Sequence, residues 1–210
     1  VVVGIDRCGV IGEDGVSHQG IFDVSLLLPI PGITLAQGKD AAESARLLAT
    51  GFTMDSPFLL RYSKNTVPEQ PLSTEPLPVG RWERLHEGEV TVISYGDFVG
   101  EAEEARRLLA MDGIEMGLVN ARFLKPFDEE MMTELLAEGK PLLVYEEVAA
   151  IGGFGSLLQQ FAAERESQTP VHVLALPDRW IYHGKRRELL HRMGLDAAGL
   201  RQALRERLGR

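Results

Sequence analysis

The amino-acid sequence predicts an α/β fold made of two parts with mostly parallel sheets. Apolar runs of strand length alternate with stretches in which apolar residues recur at helical spacing, and this alternation is typical of βα units. A hydrophobic content of 44% over 210 residues is ordinary for a globular core. Glycine-rich stretches follow two of the runs, at residues 6–20 and 152–155, and ligands bind open α/β sheets at such strand ends.

A proline-rich stretch divides the chain. Between residues 63 and 78 the periodicity stops, and four prolines stand among polar residues. They are Pro68, Pro71, Pro76 and Pro78. We predict an extended linker here, so that residues 1–78 form a first part and residues 79–210 a second.

The first part predicts three strands and two helices. Pro29 and Pro31 end a short buried helix, and Asp40 is a candidate N-cap for the second helix. The predicted elements are a buried strand at 1–5, a helix at 21–28, a strand at 32–36, a helix at 41–51 and a strand at 57–62. Three strands are too few to close a core, so we expect the chain to be the carboxyl-terminal part of a longer protein.

The second part predicts a complete β/α unit. One helix carries an apolar face of Ala102, Ala105, Leu108 and Leu109, and Asp128 is a candidate N-cap for the next. A turn is predicted at Lys125. The strands are expected at 80–85, at the sheet edge, and at 90–95, 114–120, 141–145 and 171–176, and the chain ends in an amphipathic helix.

Composition limits the class of protein. The formal net charge of −9 argues against a nucleic-acid surface, which needs clustered Lys and Arg, and we interpret the basic residues 185–187 as a solvated helix end. No apolar run reaches the roughly eighteen residues that cross a membrane, and the amino terminus lacks the order of a secretory signal. We therefore expect a cytoplasmic protein. Its single cysteine, Cys8, is interpreted as a packed hydrophobe.

Residues 6–20, which we call the opening loop, are the candidate functional stretch. Four glycines permit positive φ angles, so that the loop can fold tightly and point Arg7, Asp14 and His18 into one space. A guanidinium grips phosphate, a carboxylate accepts hydrogen bonds from hydroxyls, and an imidazole exchanges protons near neutral pH. Together these groups suit a phosphorylated polyol.

Each of these features also has a purely structural interpretation. Asp14 is a candidate for a turn before Gly15, and Arg7 for a pair with Asp6. The carboxylates at 146 and 147 are interpreted as the polar end of a strand. Residues 152–156 outline an anion-binding loop but lack the P-loop and dinucleotide patterns, so a tight turn is favoured.

The opening loop resembles a known family. Its series Asp-Arg-x-Gly-x-x-Gly-x-Asp-Gly-x-x-His-Gln-Gly is similar to that of the 1-deoxy-D-xylulose-5-phosphate synthases, thiamine-diphosphate enzymes of the transketolase superfamily. The match continues along nearly the whole chain, in the family's order. It includes Phe22-Asp23, Ile30-Pro31, Arg61-Tyr62, residues 120–126, Glu146-Glu147, Gly152-Gly153, Leu176-Pro177-Asp178 and Gly194-Leu195-Asp196.

This resemblance implies a fold and an activity. The fold is a partial pyrimidine-binding domain followed by a complete transketolase carboxyl-terminal domain. The activity is the condensation of pyruvate with glyceraldehyde 3-phosphate, with loss of carbon dioxide, to a precursor of isoprenoids, thiamine and pyridoxal. The full-length enzyme uses thiamine diphosphate and Mg²⁺ and is expected to be a homodimer. No nucleic-acid or membrane partner is expected.

The resemblance also implies residue roles. Arg7 helps to hold the phosphate of the aldehyde, while Asp14 and His18 contact substrate oxygens beside the reacting carbon. His18 is the candidate for proton exchange at the aldehyde oxygen. Asp14 and His18 are thus the candidate catalytic residues.

Two departures from the family pattern matter. Ser63-Lys64-Asn65 stand where the family has Pro-Arg-Gly, so Lys64 replaces a second phosphate-binding arginine and loses its bidentate geometry. The family's diphosphate and metal site, and the glutamate that activates the cofactor, lie upstream of Val1. We therefore predict that this chain alone binds no thiamine diphosphate or metal and is inactive without the amino-terminal part of the enzyme.

Two alternatives remain. The first is another transketolase-like enzyme, either a transketolase or the β subunit of a 2-oxo-acid dehydrogenase E1 component. The second, from a different class, is a non-catalytic dimerisation module.

Overall fold

The computed structural model describes residues 1–65 and 70–210, so Pro68 of the predicted linker lies outside the described residues. The strands are β1 (Val2–Ile5), β2 (Thr34–Gln37), β3 (Phe58–Arg61), β4 (Glu83–His86), β5 (Val90–Ser94), β6 (Met116–Asn120), β7 (Phe123–Lys125), β8 (Leu142–Ala149) and β9 (Val171–Leu176). The helices are α1 (Asp23–Leu27), α2 (Ala41–Phe52), α3 (Phe98–Met111), α4 (Glu129–Ala137), α5 (Phe154–Glu164), α6 (Arg186–Arg192) and α7 (Ala197–Leu208).

The strands form two mostly parallel sheets. The first has the order β1-β3-β2-β7 and the second β4-β6-β5-β8-β9. In each sheet one edge strand, β7 or β4, is antiparallel to its neighbour. The predicted α/β class with mostly parallel sheets is confirmed.

Local capping signals gave correct helix starts. The Asp40 carboxylate accepts a hydrogen bond from the backbone N–H of Glu43 at 2.8 Å, at the start of α2. Asp128 accepts from the N–H of Met131 at 3.1 Å, at the start of α4. Each carboxylate satisfies a backbone donor that the helix leaves unpaired.

Strand β7 was not predicted from the sequence. The turn expected at Lys125 ends a three-residue strand that leaves the second part and pairs antiparallel with β2 of the first. Three residues are too few to show a two-residue period, so only the tertiary pairing reveals the strand. It joins the two parts through one sheet.

The prediction of a fully buried first strand is wrong. Strand β1 pairs only with β3 and lies at the edge of the first sheet as described. The side chain of Val3 is exposed, while Ile5 packs against the core. An apolar run alone does not distinguish an edge strand from a central one.

The hydrophobic cores combine residues of both parts. Val10 and Ile21 pack in one core with Val92 and Tyr145 of the second part. A second core contains Val24, Leu35 and Leu59 together with residues that include Trp82, Val144 and Phe154. The opening loop and α1 therefore rest on the second part. The division at residue 78 stays a prediction.

Within the described ranges, no helix is both long and apolar enough to span a bilayer.

Candidate functional site

The opening loop begins where β1 ends and is closed at its base by backbone hydrogen bonds. The N–H of Gly20 donates to the carbonyl of Arg7 at 3.0 Å, and the N–H of Gly9 donates to the carbonyl of Gly20 at 2.9 Å. Cys8 is buried between these bonds, as predicted for a packed hydrophobe. The base is thus fixed, and the loop continues beyond the carboxyl end of β1, with Val10 and Ile11 buried.

Arg7 stands in the left-handed backbone region, with φ of 57°. A residue with a Cβ adopts this conformation at a cost of about 1–2 kcal/mol, and such residues cluster at functional sites. Its Nε donates to Asp14 Oδ2 at 3.2 Å, and its Nη1 donates to Asp6 Oδ2 at 2.8 Å. The two interpretations of Arg7 from the sequence, a pair with Asp6 and a shared site with Asp14, therefore both apply.

Lys64 approaches Asp14 from a second loop. Its Nζ lies 3.2 Å from Asp14 Oδ1 and 3.1 Å from Oδ2. Lys64 follows β3, the parallel neighbour of β1, so two loops at one edge of the sheet bring two cations to one carboxylate. The hydrogen bonds of Lys64 and then of Arg7 lower the pKa of Asp14, which keeps this carboxylate ionised.

His18 lies apart from this cluster. It ends a 3₁₀ turn, Val16–His18, and its Nδ1 is 3.0 Å from the hydroxyl of Ser17. The ring is exposed, and among the described residues no hydrogen bond joins it to Arg7, Asp14 or Lys64. The structure therefore brings three of the four predicted site residues into contact.

The glycines of the opening loop serve two purposes rather than the one expected. Gly9 and Gly15 have positive φ angles of 83° and 78°, as predicted. Gly12 does not. A Cβ on Gly12 would lie 2.2 Å from the carbonyl oxygen of Gly184, so this glycine permits close packing on the second part.

The interpretation of Glu146 as the polar end of a strand is wrong. Strand β8 continues to Ala149, and Glu146 is wholly buried within it. Its carboxylate accepts from the Tyr95 hydroxyl at 2.8 Å and from the N–H groups of Phe154 and Gly155 at 3.1 and 2.8 Å. Burial raises the pKa of Glu146 to about 7, although these three donors favour its charged form. The amino terminus of α5 is thus occupied by a carboxylate of the chain itself.

The interpretation of residues 185–187 as a solvated helix end is wrong for Arg186. Its Nε and Nη2 donate to the two carboxylate oxygens of Glu147 at 3.0 and 2.6 Å. The neighbouring Arg187 is exposed, as the interpretation required. A run of three basic residues gives no sign of which one turns inward.

Sequence reasoning also missed a buried ion pair under the opening loop. Arg61, with 1% of its surface exposed, donates to both carboxylate oxygens of Asp23 at 2.8 and 2.9 Å. Its guanidinium also lies 6.0 Å from the centre of the Tyr95 ring. An arginine inside the apolar run 57–62 was the available signal, because a charge in a buried strand needs a partner.

The described residues do not fit a magnesium–diphosphate site. In residues 1–65 and 70–210, no three His, Cys, Asp or Glu side chains gather in a way that holds a metal ion. The groups that converge at the opening loop are the cations of Arg7 and Lys64 and the carboxylates of Asp14 and Asp6, which suit an anionic, hydroxylated ligand. No reaction step through a cofactor is therefore derived from this chain.

The two mostly parallel sheets, with two loops that meet at one strand edge, define the class of protein as transketolase-like α/β. The chain belongs to the transketolase family. Residues 80–200 match the family described as transketolase, C-terminal domain, and residues 1–70 match the transketolase pyrimidine binding domain. The resemblance to transketolase domains is thereby confirmed.

Curated relatives are synthases. The 1-deoxy-D-xylulose-5-phosphate synthase of Listeria monocytogenes serotype 4b (strain CLIP80459) is 36% identical over 99% of this chain and 35% of the relative. That of Aquifex aeolicus (strain VF5) is 39% identical over 99% of this chain and 33% of the relative. The chain spans about a third of the length of these relatives.

Solved structures share the fold. One described as "Split gene transketolase, inactive beta4 tetramer" has a TM-score of 0.84 and 28% identity, over 98% of this chain and 65% of that chain. A transketolase mutant from Pichia stipitis has a TM-score of 0.75 and 19% identity, over 98% of this chain and 29% of that chain. The second likeness concerns the fold alone.

Proposed function

We propose that this chain is the carboxyl-terminal part of a cytoplasmic thiamine-diphosphate enzyme that condenses pyruvate with glyceraldehyde 3-phosphate to 1-deoxy-D-xylulose 5-phosphate and carbon dioxide. Two curated relatives are named 1-deoxy-D-xylulose-5-phosphate synthase, and they are 36% and 39% identical to the chain over 99% of its length. Residues 1–78 belong to the pyrimidine-binding domain and residues 79–210 to the carboxyl-terminal domain. The matched segments 1–70 and 80–200 support this division.

The observation that carries the proposal is the meeting of Arg7 and Lys64 at Asp14. Two cations from separate loops lie within 3.2 Å of one carboxylate, and the side chains of Arg7 and Lys64 are 41% and 50% exposed. Charge-assisted hydrogen bonds from such cations are the usual grip on a phosphate. A bound phosphate would accept the hydrogen bonds that Arg7 and Lys64 now donate to Asp14 and Asp6.

The four predicted site residues then contact different groups of the aldehyde. Arg7 and Lys64 hold the phosphate, which frees the Asp14 carboxylate to accept a hydrogen bond from a substrate hydroxyl. His18, exposed at the end of its turn, donates a proton to the aldehyde oxygen, which becomes an alkoxide as the new carbon–carbon bond forms. The residues of this chain would bind and orient the aldehyde and move its proton, while activation of pyruvate would be the chemistry of thiamine diphosphate held by the rest of the enzyme.

The isolated chain is proposed to bind neither thiamine diphosphate nor Mg²⁺. The described residues contain no cluster of metal ligands, and the chain covers only about a third of the relatives. Calorimetric titration of the 210-residue chain with cofactor and magnesium is expected to show no saturable heat. Micromolar binding would contradict this proposal.

A second candidate function is that of an assembly module. It is favoured by the structural neighbour described as an inactive beta4 tetramer, which is 28% identical to this chain over the aligned residues. We propose that this chain likewise associates with copies of itself and is inactive alone. Light scattering of the purified chain is expected to give a mass of at least two chains, and a monomer at micromolar concentration would contradict self-association.

Activity of the assembled enzyme tests the proposed function. The chain joined to its upstream sequence is expected to release one carbon dioxide for each pentulose phosphate made from pyruvate and glyceraldehyde 3-phosphate. His18→Ala is expected to lower kcat about 100-fold, the usual contribution of a proton-transfer group, with the fold retained. His86→Ala, which changes a histidine on β4, is the matched control.

Other outcomes separate the alternatives. Activity only with a ketose phosphate donor would indicate a transketolase, and transfer only to a lipoyl acceptor would indicate a dehydrogenase component. Either would overturn the proposed reaction. Wild-type kinetics for His18→Ala would remove His18 from the site. Absence of all three activities would favour the assembly module.

A further inference from the structure

The opening loop is attached to the second part by several polar contacts. The carbonyl of Gly12 accepts from the N–H of Gly184 at 3.0 Å, and Gln19 Nε2 donates to the carbonyl of Ile181 at 2.6 Å. Beyond the loop, the carbonyl of Ile21 accepts from the N–H of Ala149 at 2.9 Å. The middle of the loop and its carboxyl end are therefore bonded to residues more than 120 positions away in the sequence.

Glu147 makes the charged contact in this set. Its Oε1 accepts from the backbone N–H of Val10 at 3.0 Å and from Arg186 Nε at 3.0 Å, while Oε2 accepts from Arg186 Nη2 at 2.6 Å. One carboxylate thus links the opening loop, strand β8 and helix α6. The side chain of Glu147 is only 10% exposed, so solvent competes little for these bonds.

The geometry of the loop fits this carboxylate closely. A Cβ on Gly9 would lie 2.4 Å from Glu147 Oε2, so the backbone at Gly9 can approach only because it carries no side chain. Gly9 and Val10 lie two and three residues after Arg7, and Gly9 has the positive φ that turns the chain there. Displacement of the carboxylate would therefore move the backbone from which the Arg7 guanidinium projects.

The ion pair of Glu147 and Arg186 is better explained by positioning of the loop than by a gain in the free energy of unfolding. Removing a carboxylate and a guanidinium from water costs free energy that their attraction does not reliably return, and hydrophobic replacements are often as stable. Neighbouring Glu146 points to the opposite face of β8, toward α5, as alternation along a strand requires. Of the two adjacent glutamates, Glu147 is therefore the one that faces the opening loop.

We propose that Glu147 and Arg186 are positioning residues that hold the opening loop so that Arg7 meets Lys64 at the phosphate of the aldehyde. The identity of the substrate in this inference rests on the proposed function. The attachment of the opening loop by Glu147 and Arg186 does not. We expect that loss of the pair weakens aldehyde binding selectively and leaves pyruvate binding unchanged.

Hydrogen exchange of the 210-residue chain tests the attachment. Glu147→Gln keeps an acceptor for Val10 and removes the charge, and Arg186→Met removes the donor. Both are expected to speed amide exchange at Gly9, Val10 and Gly20. If a single variant fails to fold, the double variant Glu147→Gln/Arg186→Met, which leaves neither charge unpaired, gives the same readout.

Arg201→Met is the matched control. Arg201 forms a comparable two-bond pair with Asp112, at 2.6 and 2.5 Å, between α7 and the end of α3. Its loss is expected to speed exchange in α7 only. Arg187→Met controls for charge at the neighbouring exposed position. Unchanged loop exchange in the Glu147 and Arg186 variants would overturn the inference.

Kinetics of the assembled enzyme test the consequence for substrate. The KM for glyceraldehyde 3-phosphate is expected to rise about tenfold or more in the Glu147→Gln and Arg186→Met variants, with the KM for pyruvate unchanged. Arg201→Met is expected to leave both unchanged. Equal loss for both substrates would overturn a positioning role. Faster loop exchange with an unchanged aldehyde KM would instead contradict the proposed function of the loop.

Discussion

Lys64 is predicted from the sequence to replace an arginine of the family pattern, and its chemistry predicts a direction of change in phosphate binding. A lysine offers a point charge to phosphate, whereas an arginine offers two parallel donors. Lys64→Arg is therefore expected to lower the KM for glyceraldehyde 3-phosphate in the assembled enzyme. Lys140→Arg, on the loop before β8, is the control. An unchanged KM would count against Lys64 as a phosphate contact.

Glu146 predicts a pH dependence of stability. Burial raises the pKa of Glu146 from 4.5 to about 7, so between these values the folded chain binds more protons than the unfolded chain. The free energy of unfolding therefore falls as pH rises through this window, by about 3 kcal/mol at most. Glu146→Gln is expected to make this decline shallower, as measured by urea denaturation at pH 5 and pH 7.5.

A matched variant makes the pH measurement specific. Glu134 is exposed on α4, so Glu134→Gln is expected to keep the wild-type decline. If Glu146→Gln keeps it as well, the Glu146 carboxylate does not remain protonated in the folded chain near neutral pH.

Residues with local partners were predictable from sequence, and those with distant partners were not. Asp40 and Asp128 each accept a hydrogen bond from a backbone N–H three residues along the chain, so spacing alone identified them. Arg7 and Asp14 share one loop. Glu147 instead bonds Val10, 137 residues earlier, and no local pattern encodes such a contact.

At the scale of elements, strand β7 of the second part is expected to contribute to the stability of the first part. Phe123 is fully buried and packs with Phe58, Leu60 and Leu47 in the core of the first part. Phe123→Ala is expected to lower the free energy of unfolding by about 3–5 kcal/mol, because it leaves a cavity in that core. Phe52→Ala, at an exposed position that ends α2, is expected to cost far less. Equal costs in urea denaturation would contradict the role of β7.

The elements that sequence predicted were marked by an apolar run or by helical periodicity. Strands such as β5 and helices such as α3 carry enough residues to show their periodicity, and their predicted positions agree with the structure within a few residues. The three residues of β7 are too few to show a periodicity. Strand β8 was predicted too short because it contains charged residues that are buried. Tertiary pairing and burial determined these elements.

At the scale of the whole molecule, the first and second parts contact each other more extensively than two independent domains joined by a linker would. Residues of the opening loop, α1 and β2 share cores with the second part, and β7 completes the first sheet. The predicted division at residue 78 therefore separates segments of sequence whose cores are joined. This arrangement places the opening loop against Glu147 and Arg186.

The most direct test of the proposed phosphate site compares two aldehydes in the assembled enzyme. For the double variant Arg7→Met/Lys64→Met, the ratio of kcat/KM for glyceraldehyde 3-phosphate to kcat/KM for unphosphorylated glyceraldehyde is the quantity to measure. The ratio is expected to fall about 100-fold or more, because two charge-assisted bonds to phosphate are lost. A ratio equal to that of the wild-type enzyme would contradict the assignment of the opening loop as the phosphate site.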